Sequence, residues 1–366
     1  MKIAIDRGPL ETEHKFRGVG AYTRELIIAL KKLNYNIHDI NFETSDLSDY
    51  DIIHYPYFDL FSVTLPFGKP TKIIVTIHDL IPLIYPKYYP PGIKGKSRFL
   101  IQKNRLRKVD AILTMSETSK KDIVRFLGIP SDKIHVVPLA ASSSFKEISD
   151  KTKLKRVRDH YKLPSKFVFY VGDVNYNKNV PSLLEACRII KVPLVICGKH
   201  ATEIEEKAFG LKTLKGPRDW MRFMVGKPHP EFAHIRNLLK GFGSSQVLRL
   251  GYVPEEDLVG IYNLATVYCQ PAFYEGFGIP VLEAFATGCP VVVARTNALV
   301  ELANGAALIA DSKDPKDMAS KLVMLFQDLG LRAKLIREGK NRVEDFSWQK
   351  TAQKTAEVYK KVVSSR

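Results

Sequence analysis

The chain has 366 residues, 45% of them hydrophobic, 10% aromatic and 26% charged. That is the balance of a folded protein long enough for two cores, and it excludes a disordered, collagenous or coiled-coil chain. The formal net charge of +17 is regional: 22 basic residues face 17 acidic ones over 1–150, 19 face 8 over 151–240, and 15 face 14 over 241–366. A basic region attracts phosphate, whether in nucleic acid, anionic lipid or a phosphorylated small molecule.

In chain order, KIAID (2–6) reads as a strand and AYTRELIIALKKL (21–33) as an amphipathic helix, which makes a βα unit. DIIHY (51–55), KIIVTIHD (72–79), AILTMS (111–116) and KIHVVPL (133–139) read as further strands. They are apolar throughout and do not alternate, as in a parallel sheet covered on both faces. The charged stretch 146–166 has no strong apolar face and is expected to contain the domain linker. A second series of strands follows in FVFYVG (167–172), VPLVICG (192–198), VLRLGYV (247–253), VYCQPA (267–272) and PVVVA (290–294), with helical patterns at 180–190, 254–265 and 279–288. The expected fold is α/β, two doubly wound domains in tandem, closed by an amphipathic helix over 348–365 that packs across the domain boundary. The start, MKIAIDRGPL, lacks the cationic and apolar regions of a signal peptide, and no apolar run approaches the roughly 20 residues of a membrane span. Cys187, Cys197, Cys269 and Cys289 lie apart without CxxC spacing, so they are expected to be reduced core residues of a cytosolic protein.

Four segments have the residue types for chemistry. Arg17-Gly18-Val19-Gly20 falls between the first strand and helix, where glycines permit positive φ and close backbone approach and a helix N-terminus attracts an anion; an ordinary tight turn explains it as well. No full GxGxxG and no GxxxxGK[ST] occurs, which counts against dinucleotide binding and P-loop hydrolysis. Thr76-Ile77-His78-Asp79 ends an apolar strand at the edge where open α/β sheets hold ligands, and His78 can bond a hydroxyl or phosphate; a structural histidine with Asp79 capping the next turn is the plain alternative. No second His or Cys follows at metal-ligand spacing, and His229 and His234 read as surface residues. GDVNYNKN (172–179) sets Lys178 and Asn179 before a helix, where the lysine's charge adds to the helix's partial one and suits a diphosphate. The most specific segment is FYEGFGIPVLEA (273–284): Glu275 lies in a glycine-rich loop after a strand, and Glu283 lies inside an otherwise apolar helix, where a carboxylate needs hydrogen-bond partners such as sugar or ribose hydroxyls.

EGFGIPVLEA resembles the E-x7-E motif of the retaining family 4 glycosyltransferases of the GT-B fold, and the resemblance covers nearly the whole chain. RGVGAYTREL, TIHDLIPL, SETSKKDIVRFLGIPSDKIHVVPL and FSWQKTAQKTAEVY resemble that family's glycine loop, acceptor-domain segments and closing helix. The subgroup it resembles most is the mannosyltransferase-like set of O-antigen and exopolysaccharide assembly. The resemblance implies two Rossmann-like domains facing a central cleft: an acceptor-binding domain over 1–155, a nucleotide-sugar-binding domain over 156–345, and a helix over 346–366 returning to the first. It implies that Glu275, with Gly276, Phe277 and Gly278, meets the donor sugar and that Glu283 meets the ribose. Lys178, Asn179 and the amides near Gly18 and Gly20 would hold the diphosphate, with Arg17 as helper, while His78 would lie beside the transferred sugar and the acceptor. Asp173 stands where many members have an arginine. The stretch from His200 to Gln246, with Trp220 and Phe223, is longer than usual. No metal and no cofactor are implied: the leaving diphosphate is stabilised by cations and helix N-termini. The sequence contains no plain covalent nucleophile, and retention would follow from front-face attack with the leaving phosphate taking the acceptor's proton.

Segment 87–108 has eight cations (Lys87, Lys94, Lys96, Arg98, Lys103, Arg105, Arg107 and Lys108), no acid, and interleaved aromatic and aliphatic residues. It suits an anionic membrane surface, which a lipid-linked acceptor would make useful and which would place a cytoplasmic protein peripherally on the membrane's inner face. The alternative is a basic helix packing Phe99, Leu100 and Leu106 on the domain core. Two rival functions are a non-hydrolysing sugar-nucleotide epimerase and a basic nucleic-acid-binding protein. The second lacks an RNP-like aromatic motif, zinc finger or helix-turn-helix, so no nucleic-acid partner is expected.

Overall fold

The computed structural model describes residues 1–12, 18–66, 68, 71–208, 221, 230–244 and 246–364. Arg17, Trp220, Phe223 and His229 therefore lie outside the described residues. The chain divides into two compact units, Met1–Ser142 with Phe346–Arg366, and Ser143–Asp345.

The first unit is built on β1 (Lys2–Asp6), β2 (Asn36–Ile40), β3 (Ile52–Tyr55), β4 (Lys72–Thr76), β5 (Ala111–Thr114) and β6 (Ile134–Val136), all parallel, in the order β2-β1-β3-β4-β5-β6. Its interior strands are buried on both faces, as their unbroken apolar runs predict. β2, an edge strand of sequence NIHDI with one buried residue, escaped the sequence reading because its composition is mixed. The helix Trp348–Ser364 packs on this unit: Thr351 donates to Pro138 O at 2.7 Å, and Tyr359 is fully buried.

The second unit has β7 (Val168–Val171), β8 (Leu194–Cys197), β9 (Val247–Gly251), β10 (Val267–Gln270), β11 (Val291–Ala294) and β12 (Leu308–Ala310), parallel, in the order β12-β11-β10-β7-β8-β9. All four cysteines are free and buried. The charged stretch 146–166 holds a helix. Asp150 caps a helix over Lys151–His160, whose one buried residue, Val157, packs so closely on Gly260 that a Cβ there would stand 2.9 Å from it. So narrow an apolar contact gives no visible helical face, and the division between the two compact units falls at 142/143.

Both sheets are doubly wound, and each therefore has one place where the strand order reverses and the loops from two neighbouring strands leave in opposite directions. In the first sheet that place is the carboxyl edge of β1 and β3; in the second it is the carboxyl edge of β7 and β10.

Candidate active site

At the reversal point of the second sheet, the loop after β7 meets the loop after β10. β7 runs into Gly172, a 3-10 turn over Tyr176–Lys178 and the helix Val180–Ile190. Asn179 turns the chain between them with φ 52°. Its side chain ties three loops together, donating to Pro271 O at 2.9 Å and Ser312 O at 2.7 Å and accepting from Ser182 Oγ at 2.7 Å. Phe273 N donates to Asn177 O at 2.8 Å. This stitching brings Lys178 Nζ to 2.7 Å from Glu275 Oε1. Glu275 is 7% exposed and also accepts from Gln270 Nε2, whose own Oε1 accepts from Tyr268. A carboxylate this buried is stable only when it is paired and hydrogen-bonded, and here it is both.

The loop then passes through buried Gly276, Phe277 and Gly278. Gly278 has φ 111°, and a Cβ there would stand 2.8 Å from Leu299, so only glycine fits the entry to the helix Ile279–Ala286. Glu283 of that helix accepts from Tyr262 at 2.9 Å, and burial raises its carboxyl from 4.5 to about 7. Near neutrality the group is thus poised between acceptor-only and donor-capable forms.

In the first unit, His78 follows β4 by two residues. Its Nε2 donates to Pro56 O at 3.0 Å, which carries the ring across the carboxyl end of β3 to the reversal point. Tyr22 meets the ring edge-on at a centroid distance of 4.9 Å. Asp79 accepts from Ile81 N at 3.0 Å and so caps the next turn, as the plain reading had it. Beneath His78 lies a buried neutral network that the sequence reading missed. Thr76 Oγ1 bonds the Tyr22 hydroxyl at 2.9 Å and His54 Nε2 at 2.8 Å, while His54 Nδ1 bonds the Tyr359 hydroxyl at 2.6 Å. Burial pushes His54 down to about 3, so its imidazole is neutral and both nitrogens are used. Gly18 and Gly20 open the helix Gly18–Lys32 without positive φ; their service is a helix N-terminus, and a left-handed turn is not needed.

Two other expectations are corrected. His234 is not a surface residue: it is 9% exposed and donates from Nε2 to Val174 O at 2.8 Å, because the helix Pro230–Phe242 packs against Val180–Ile190. The basic helix Gly92–Leu106 buries Phe99 and Leu106 towards the core but leaves Leu100 67% exposed. Of the eight cations, Arg105 is buried on Leu65 O and Lys103 donates to Phe126 O, while the other six are exposed. Among the described residues no helix is long and apolar enough to cross a membrane.

Two doubly wound parallel sheets, each with polar side chains gathered at its reversal point, are the architecture of the GT-B fold. The chain belongs to the family of glycosyl transferases group 1, whose pattern matches residues 151–342, and residues 41–142 match glycosyltransferase family 4. It is similar to O-antigen chain mannosyltransferase B of Escherichia coli, with 28% identity over 325 residues covering 86% of this chain and 75% of that one. It is also similar to the serotype-specific mannosyltransferase WbdA of Escherichia coli, with 22% identity covering 84% of this chain. The chain spans three quarters of the first relative and only 36% of the second. A structure of Anabaena HepE in complex with UDP-glucose superposes with a TM-score of 0.69 over 99% of this chain and 100% of that one at 13% identity, a likeness of fold.

Proposed function

We propose that the protein transfers a hexose, mannose first among the candidates, from a nucleoside diphosphate sugar to a hydroxyl of a glycan or lipid-linked acceptor with retention of configuration. The observation that carries this is the pairing of half-buried Lys178 with buried Glu275 at the β7/β10 reversal point, with Glu283 eight residues on. Lys178 stabilises the leaving diphosphate, and the helix N-terminus at Gly18 and Gly20 of the first unit offers N–H groups suited to an anion. Glu275, whose second oxygen is not used by the lysine, receives sugar hydroxyls, and Glu283 receives the ribose. Breaking the glycosidic bond places negative charge on the diphosphate and oxocarbenium character on the ring. Preorganised cations and N–H groups at the phosphate therefore lower the barrier directly, and no metal is required. The leaving phosphate takes the acceptor's proton, and His78, with its ring fixed by Pro56 and Tyr22, orients the acceptor hydroxyl.

The exposed face of Gly92–Leu106 supports a place on an anionic membrane. Ile93 (89% exposed) and Leu100 lie seven residues apart on one stripe, with Ile101 beside them and Lys94, Lys96, Arg98 and Arg107 flanking. Apolar residues at the centre and cations at the rim are the arrangement of a helix lying in a headgroup layer, and each near-surface cation adds on the order of 1 kcal/mol. Charge reversal of those four cations should abolish cosedimentation with anionic vesicles at low salt and leave donor hydrolysis intact; absence of vesicle binding by the unaltered protein removes the membrane role. For the activity, incubation with a panel of nucleotide sugars should show slow hydrolysis of one of them without acceptor. Hydrolysis of none, or epimerisation of one, contradicts the proposal.

A further inference from the structure

Two buried tyrosines stand behind the two glutamates of the β7/β10 edge. Tyr262, on the helix Glu255–Leu264, and Tyr268, in β10, are fully buried, and their ring centroids lie 5.5 Å apart. Phe169 meets both rings edge-on, at 4.8 Å and 6.0 Å, and Phe145 meets Tyr262 at 5.7 Å. Phenylalanine would pack in either place, and a phenol in such a core is costly unless its hydroxyl is bonded. Both hydroxyls are bonded towards the glutamates. Tyr262 donates to Glu283 Oε2 at 2.9 Å and shares the same hydrogen with Pro280 O, at 3.2 Å, in the first turn of the helix that carries Glu283. Tyr268 donates to Gln270 Oε1 at 2.6 Å, and Gln270 Nε2 donates to Glu275 Oε1. The phenol proton on the amide oxygen decides which end of the amide faces Glu275, so the carboxylate meets N–H and not a carbonyl. Lys178 takes the same Oε1. Among the described residues, Glu275 Oε2 and Glu283 Oε1 accept no hydrogen bond. Burial holds both phenols far above their ordinary range, so each hydroxyl keeps its proton.

We propose that Tyr262 and Tyr268 are the positioning residues of the donor site: Tyr262 directly, and Tyr268 through Gln270, each secure one oxygen of one glutamate, which turns Glu283 Oε1 to the ribose and Glu275 Oε2 to the transferred sugar. This rests on the reading of the β7/β10 edge as the donor site. The last torsion of a glutamate side chain is soft, so an untethered carboxylate meets a hydroxyl in many orientations; one oxygen held by a fixed donor leaves a single one. The cluster of four rings fixes the point from which each of those hydrogen bonds is made. The two tyrosines therefore serve different steps. Tyr262 supports the affinity for the nucleotide, and Tyr268 supports turnover of the sugar.

The test compares Tyr262→Phe and Tyr268→Phe with the unaltered protein by calorimetry. The probes are uridine and guanosine diphosphates and their 2′,3′-dideoxy counterparts, which lack the ribose hydroxyls. Tyr262→Phe should lower affinity for the ribose form about tenfold, as for one lost hydrogen bond to a charged group, and leave affinity for the dideoxy form unchanged. Tyr268→Phe should leave both affinities unchanged and lower transfer turnover about tenfold. A merely structural role would lower thermal stability without separating the ribose form from the dideoxy form. Equal loss towards the two forms, or no loss towards either, overturns the role of Tyr262. Weakened diphosphate binding or unimpaired turnover in Tyr268→Phe overturns that of Tyr268. In both cases the donor site stands as long as the unaltered protein prefers the ribose form. Equal affinity of the unaltered protein for the two forms, or no binding of either, overturns the donor site itself.

Discussion

The two reversal points are built from opposite electrostatic materials. In the second unit the carboxyl edge of β7 and β10 is charged: a lysine and a buried glutamate in contact, a second glutamate raised to about 7, and the Asp173–His200 pair. In the first unit the edge under His78 is neutral: two tyrosines, a threonine and an unprotonated histidine, each with almost no exposure. A charged edge answers a ligand whose own charge changes during reaction, because preorganised charge acts most strongly where charge develops. A neutral hydrogen-bonded base holds one ring in place without field, which suits orientation of an uncharged hydroxyl. The difference teaches that two copies of one architecture, with the same reversal rule, can present opposite polarity at that point; on the proposed function, the charged edge serves the diphosphate and the neutral one the acceptor hydroxyl.

The largest effect should come from the charged edge. Lys178→Ala should lower turnover roughly 100-fold or more, the cost of one lost electrostatic stabiliser, while activity persists in excess EDTA; strict dependence on Mg²⁺ or Mn²⁺ would show that a metal holds the diphosphate instead. The neutral edge should reveal itself by acid. His54 falls from 6.5 to about 3 on burial, so the unfolded chain binds a proton that the folded chain refuses. Stability is therefore full above 6.5 and falls as pH drops, at up to about 1.4 kcal/mol per pH unit. Hydrogen exchange of β3 and β4 amides between pH 7 and 5 should record this loss, and His54→Gln should flatten it. A smaller, opposite dependence belongs to Glu283. Its carboxyl is raised from 4.5 to about 7, so the folded chain holds more protons in that window and stability declines as pH rises through it. Glu283→Gln should remove the decline, so that melting temperatures of variant and unaltered protein diverge in the variant's favour between pH 5 and 8. Parallel curves would mean that Glu283 titrates as an exposed carboxylate.

The interior strands were legible in sequence because a parallel strand buried on two faces is an uninterrupted apolar run, and Glu283 stood out because it lies in an apolar helix. β2 was not legible, because NIHDI carries no apolar run, and β12 was missed although it closes the apolar run AALIA (306–310). Gln270 was within reach, since a polar residue closing the apolar strand VYCQ stands at the ligand edge, just as Thr76 does. The His54–Tyr359 contact spans 305 residues, and nothing local in either segment announces it. Asp173–His200 depends on two strand ends touching through their glycines, which is a property of the register between β7 and β8.

The central claim is that the charged edge holds the donor, with Glu275 on the sugar and Glu283 on the ribose. Calorimetric titration of the nucleoside diphosphate, without sugar, into the unaltered protein, Glu275→Ala and Glu283→Ala tests it most directly. The account requires binding to weaken about tenfold or more in Glu283→Ala, as for loss of a hydrogen-bonded charged group, and to stay near the unaltered value in Glu275→Ala, whose transfer turnover nevertheless collapses. Equal weakening in the two variants, or none in Glu283→Ala, would contradict it.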